Sequence, residues 1–219
     1  VIPIPVTYII IGITVIVSLI AFNNRELKYK LTFSPYTCKH HNKWYNALTH
    51  GFVHGDYMHL IFNMFVLFSF GFQKTGPEYY DEGLEGNFEM FFGEMGQLWF
   101  LTLYIVGILV ATLPAFYKHS DNPNYLAVGA SGAVSAVLFA SIVLHPFNDI
   151  FIFFIPIGIP SIIFGPLYLA YEIYMSKKGK GNIAHDAHIA GAIFGIIFIC
   201  VLRLETFPEL IDQISGVFA

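Results

Sequence analysis

The chain has 219 residues, 56% hydrophobic, 17% aromatic and 12% charged, with a formal net charge of −4 and a mean hydropathy of +0.63. That balance is too apolar for an ordinary soluble domain and suits lipid, and the interleaving of basic with acidic residues removes the cationic stripe that nucleic-acid binding needs. Its two cysteines, Cys38 in a polar connector and Cys200 in an apolar run, supply no disulfide framework.

Charge-free runs predict six membrane spans, 6–22, 57–72, 95–117, 125–145, 150–171 and 187–204, joined in a single all-α polytopic bundle covering 1–219. The first lacks a cationic leader and reads as a retained helix rather than a cleaved signal. Connector 23–56 holds Tyr36, Trp44, Tyr45 and several cations, which suits a partly interfacial structure. On the second span His59 and Asn63 are four residues apart and share a helical face, as interhelical glue or as paired hydrogen-bond donors. Connector 73–94 carries Glu78, Asp81, Glu82, Glu85 and Glu89 and reads as a solvated insertion.

The fourth span contains Gly129-Ala130-Ser131-Gly132, in a stretch without Asp, Glu, Lys or Arg between Asp121 and Asp149. A hydroxyl between glycines at membrane depth packs poorly but is accessible as a nucleophile. Lys177-Lys178-Gly179-Lys180-Gly181 is a mobile cap or a plain surface loop. The sixth span opens with Ala187-His188-Ile189-Ala190-Gly191, placing a potential general base at the end of an apolar helix. Gly132, Ala136 and Ala140 on the fourth span, and Gly191 and Gly195 on the sixth, form smooth stripes on which these two helices can meet. Asp186, two residues from His188, faces another side of the helix, so the residues favour a Ser-His dyad over a triad.

Three readings remain open on the residues alone. A nucleophile and base assembled in the bilayer would be an acyl-transfer enzyme without a cofactor or metal. His50, His54, His185 and His188 could instead gather at one membrane face as a metal transporter or intramembrane metalloprotease, although no His-Glu-x-x-His motif is present. His40 and His41 beside Cys38 make a poor zinc site. The third reading is a noncatalytic bundle that holds helices without cutting them.

Taken in order, His59-Leu-Ile-Phe-Asn63, Gly129-Ala-Ser131-Gly132 and Ala187-His188-Ile-Ala-Gly191-Ala-Ile-Phe-Gly195 resemble the rhomboid intramembrane serine proteases. The resemblance runs from about Tyr45 to Leu204. It implies Ser131 as nucleophile, His188 as general base and acid, and His59, Asn63 and the Ser131 backbone N–H as the oxyanion hole. His54 matches a histidine common in the family, with Gly129, Gly132, Gly191 and Gly195 in support, and Glu89-Met-Phe-Phe-Gly93 matches its Glu-x-x-x-Gly. The implied substrates are single-pass transmembrane proteins, unwound near the surface of the lipid bilayer. Tyr45-Asn46 departs from the family's aromatic-arginine pair and puts the anchoring of the first connector in question.

Nine of the 11 Lys and Arg residues fall on connectors at the Ser131 face, which the positive-inside rule would place in the cytoplasm. The resemblance implies a plasma or inner membrane with the site on the extracytoplasmic side, and the reading follows the resemblance.

Overall fold

The computed structural model describes residues 4–75, 80–152, 157–178 and 184–217. It is mostly helical. Helix α1, Val6–Asn23, is followed by three short helices in the first connector, α2 (Arg25–Leu31), α3 (Pro35–His41) and α4 (Asn46–Thr49), and then by α5, Tyr57–Gly71. A two-stranded antiparallel pair, β1 (Gln73–Thr75) with β2 (Tyr80–Glu82), leads into α6 (Leu84–Phe92) and α7 (Gly96–His119). Helix α8 is Ser131–Leu144. A second pair, β3 (Asp149–Phe151) with β4 (Gly158–Pro160), precedes α9 (Ser161–Lys178), α10 (His185–Leu202) and α11 (Thr206–Val217).

Three stretches are long and apolar enough to cross a membrane: Val6–Asn23, Leu84–His119 and His185–Leu202, with Tyr57–Gly71 and Ser131–Leu144 as shorter apolar helices. The expected boundaries differ most at the fifth run. Residues 150–171 were expected as one helix, but Ile150 and Phe151 lie in β3, 153–156 fall outside the described residues, and the helix starts at Ser161 after Pro160 and continues to Lys178. Proline has no N–H to donate and fixes its own φ, so a helix begins after it more readily than through it. The expected fourth run likewise starts late, because 125–130 form a loop. The two small hairpins are the departures from an all-α chain.

Helix α8 is the core. Every residue from Gly132 to Val143 is buried, as expected for a helix that is apolar all round. It packs against α5, α7 and α10. Backbone proximity explains the small residues: a Cβ on Gly191 would lie 1.9 Å from the Gly132 carbonyl oxygen, and one on Gly195 would lie 2.1 Å from that of Ala136. The expected stripes on α8 and α10 therefore face each other, and Gly132 fits beside Ala111 of α7.

Glu85 overturns the reading of connector 73–94 as wholly solvated. It is fully buried, and its carboxylate accepts hydrogen bonds from Val6 N (2.6 Å), Thr7 N (2.8 Å) and Thr7 Oγ1 (2.6 Å). Pro5 gives α1 no side-chain cap, so an acid from α6 caps it instead, where the positive end of the helix dipole favours negative charge. Glu78 lies outside the described residues. The first connector is anchored as well, without the family's arginine. Asn46 is buried, accepts from Cys38 Sγ at 3.0 Å and donates to Thr37 Oγ1 at 3.1 Å, tying α4 to α3.

Candidate active site

The loop before Ser131 is built by the first connector. Phe33 and Ala127 form an antiparallel bridge with both N···O distances at 2.9 Å, Gly129 N–H donates to His50 O at 3.0 Å, and Ala130 N–H reaches His54 Nε2 at 3.4 Å. Gly129 has φ of 117°, the left-handed region that L-residues rarely adopt, and a Cβ there would sit 2.5 Å from His59 Cε1. Glycine thus turns the chain from the bridge into α8 and lets His59 lie against the loop before Ser131.

His54 is a support whose tautomer can be followed. Its Nε2 accepts from Ala130, so its proton is on Nδ1, which donates to Ser18 Oγ at 3.0 Å, and Ser18 in turn donates to Phe52 O at 3.0 Å. Burial lowers its pKa from 6.5 to about 3, so it stays neutral through the physiological range. The chain of bonds ties α1 to the loop beside Ser131.

Ser131 opens α8 and His188 lies in the first turn of α10, and the two helices start at the same end because α9 crosses back between them. Ser131 Oγ and His188 Nε2 are 2.7 Å apart. Behind His188 stands a residue that the sequence reading missed. Glu172 of α9 is buried, and its Oε2 lies 3.1 Å from His188 Nδ1 and 2.6 Å from His185 Nδ1. The His188 approach is close but oblique, leaving its Nδ1 without a well-aligned hydrogen bond. An acid thus stands beside His188 that the sequence-based preference for a dyad did not include. Asp186 is turned away as expected, paired with Lys118 at 2.5 Å and bonded to Ser176 Oγ.

His59 and Asn63 line the same cavity as Ser131 and His188. Asp56 caps α5 by accepting His59 N–H at 2.8 Å, and Asn63 Nδ2 donates to His59 O at 2.8 Å with one of its two hydrogens. Gly55 N–H points at His59 Nδ1 from 3.5 Å, a geometry that leaves the proton on Nε2, the edge beside Gly129. The cavity, about 1810 Å³, continues from these four residues between α5 and α9, with Phe62, Val66 and Phe70 on one wall, Phe164 and Tyr168 on the other.

The four-histidine metal set does not assemble. His54 is committed to Ser18 and Ala130, and the one metal-capable group among the described residues is Glu172, His185 and His188. Cys38 is buried on Asn46 and His40 pairs with Asp121 at 2.9 Å, so neither joins a site with His41. Lys177 and Lys178 end α9, while Gly179, Lys180 and Gly181 lie outside the described residues.

Comparison with known proteins identifies the family. The Rhomboid domain matches residues 41–77 and 86–205. The chain is 29% identical over 175 residues to RHOMBOID-like protein 12, mitochondrial, of Arabidopsis thaliana, covering 74% of this chain and 48% of that protein. It is 25% identical over 195 residues to the uncharacterized rhomboid protein P4H10.10, mitochondrial, of Schizosaccharomyces pombe, covering 71% of this chain and 49% of that protein. The chain thus spans about half the length of the curated relatives it matches. With the domain match covering well over half its residues, the chain belongs to the rhomboid family.

Proposed function

We propose that this protein is an intramembrane serine endopeptidase that cuts peptide bonds in or near transmembrane helices of single-pass substrates. The observation that carries the reading is the 2.7 Å contact between Ser131 Oγ and His188 Nε2 with the Glu172 carboxylate behind the ring. With the Glu172 carboxylate 3.1 Å from Nδ1, the ring proton is favoured on that nitrogen and the free lone pair of His188 on Nε2, where it can take the Ser131 proton. Ser131 Oγ attacks the substrate carbonyl, and His188 then hands the proton to the leaving amine. The oxyanion would be met by Asn63, by His59 Nε2–H and by the backbone N–H of Ser131 at the positive end of α8. Water completes hydrolysis of the acyl-enzyme.

The apolar helices α1, α5, α7, α8 and α10, joined by the less apolar α9, are the spans of this reading, with α5 and α8 reaching across by local thinning of the bilayer. The apolar cavity between α5 and α9 suits an unwound substrate segment, since its aromatic walls surround side chains while the polar groups converge at one end. Both relatives are named as mitochondrial, which favours a mitochondrial membrane for this chain beside the expected plasma or inner membrane.

A serine-directed fluorophosphonate should label purified protein at Ser131, and Ser131→Ala should abolish both labelling and cleavage of a transmembrane reporter while leaving the fold intact. Absence of labelling in the folded native protein would favour a noncatalytic helix-binding role. Cleavage that survives in Ser131→Ala and stops on chelation would overturn the serine mechanism.

A further inference from the structure

We propose that Glu172, His185 and His188 also form a divalent-cation site, best suited to Zn²⁺, whose occupation switches off His188 as a base. The inference rests on the serine-protease reading, because its regulatory effect is exerted on His188. The three candidate ligand atoms lie within 4.8 Å of one another. Two imidazole nitrogens and one carboxylate oxygen form the donor set of zinc sites that keep a fourth position open. His185 and His188 present both rings from one face of α10, and Glu172 meets them from α9.

Donors about 2.0–2.1 Å from a tetrahedral zinc lie roughly 3.3 Å from each other. Here the His188 to Glu172 separation is 3.1 Å and the His185 to Glu172 separation is 2.6 Å, with all three donor atoms within 4.8 Å of one another, so a cation requires the two Glu172 pairs to open by less than an ångström and the two imidazoles to turn toward it. The second observation concerns His188 itself. Its Nδ1 is buried yet lacks a well-aligned hydrogen bond, which leaves that nitrogen available to a better partner. His188 and Ala184 also line the large cavity, so the trio is one ring away from a path for the ion.

The regulatory consequence follows from imidazole chemistry. A neutral ring carries one proton. When Glu172 accepts from Nδ1–H, Nε2 has the lone pair that deprotonates Ser131. When a cation takes the Nδ1 lone pair, the ring proton must reside on Nε2, which then donates to Ser131 Oγ and can accept nothing. No bond to the substrate is involved and no oxidant is needed; the ring proton only moves from one nitrogen to the other. Carboxylate and cation thus impose opposite tautomers on the same histidine.

The test uses tag-free protein in detergent and separates binding from activity. In the inactive Ser131→Ala background, Co²⁺ should bind stoichiometrically with the visible absorption of a four-coordinate ion and be displaced by Zn²⁺. Adding His185→Asn, which keeps a donor for Glu172 but ligates poorly, should weaken Co²⁺ by more than about tenfold, the loss that even an outer-shell change can produce. Glu172→Gln should do the same. In the native protein Zn²⁺ should suppress fluorophosphonate labelling of Ser131, and a chelator should restore it. Absence of four-coordinate Co²⁺, or a Co²⁺ affinity that neither added substitution lowers relative to Ser131→Ala alone, overturns the site. Zn²⁺ uptake with undiminished labelling overturns the switch. The labelling of metal-free native protein judges the serine reading separately in every case.

Discussion

Two buried carboxylates mark opposite ends of this molecule, and α1 runs from one end to the other. Glu85 is held by two backbone N–H groups and a threonine hydroxyl, none of which titrates, and it fixes the start of α1. Glu172 is held by the imidazoles of His185 and His188, at 2.6 Å and 3.1 Å. Burial is the same for both acids, so burial alone does not distinguish structure from chemistry. The partners do: fixed donors make a clamp, and titratable ones make a site.

The sharpest way to break that comparison is Glu172→Gln. Turnover per folded molecule should fall about a thousandfold or more, as when the acid behind a catalytic histidine is removed. Single-turnover kinetics on the folded fraction would show it, and an unchanged rate would reduce Glu172 to packing. Asn63→Ala should lower turnover by about a hundredfold with little change in unfolding, and His59→Ala by less, because the Ser131 N–H remains in both. If stability and rate fall in parallel, the pair is interhelical glue, for which about 0.6 kcal/mol is typical.

Glu85→Ala should do the reverse. Stranding its buried donors should cost about 1–3 kcal/mol, visible in denaturant titration, with turnover per folded molecule unchanged. A further test is pH dependence. Burial lowers His54 to about 3 and His50 to about 4 from an ordinary 6.5. Unfolding restores the ordinary value, so their stabilisation is complete above pH 6.5 and is lost as pH falls toward the folded values, by up to about 1.4 kcal/mol per pH unit for each. Melting temperature measured down this range should drop less steeply in His54→Asn; an unchanged slope would remove His54 as a source.

What the sequence revealed and concealed has a physical logic. Ser131, His188, His59 and Asn63 stand out because each is a polar group in an apolar run, and the small residues beside Ser131 and His188 mark where backbones meet. Glu172 escaped because spans are recognised by the absence of charge. A run ending at Tyr171 makes Glu172 look like the first solvated residue, whereas a helix that begins after Pro160 and ends in Lys177 and Lys178 carries it inside. Glu85 was hidden in the same way, among acids that suggested solvent. Gly129 was visible as a small residue, but its positive φ and its contact with His59 depend on a connector far away in sequence.

Helix α9 has a bearing on timing as well as place. Of its described residues only Ser161, Gly165 and Glu172 are buried. Phe164, Tyr168 and Leu169 pack half-buried against α8 and α10, so the acid behind His188 is one of the few fully buried points by which the helix docks. Outward displacement of α9 by an arriving chain would withdraw the carboxylate from the ring, and its return would restore the pairing. Docking of this helix and the pairing of Glu172 with His188 are then one mechanical variable.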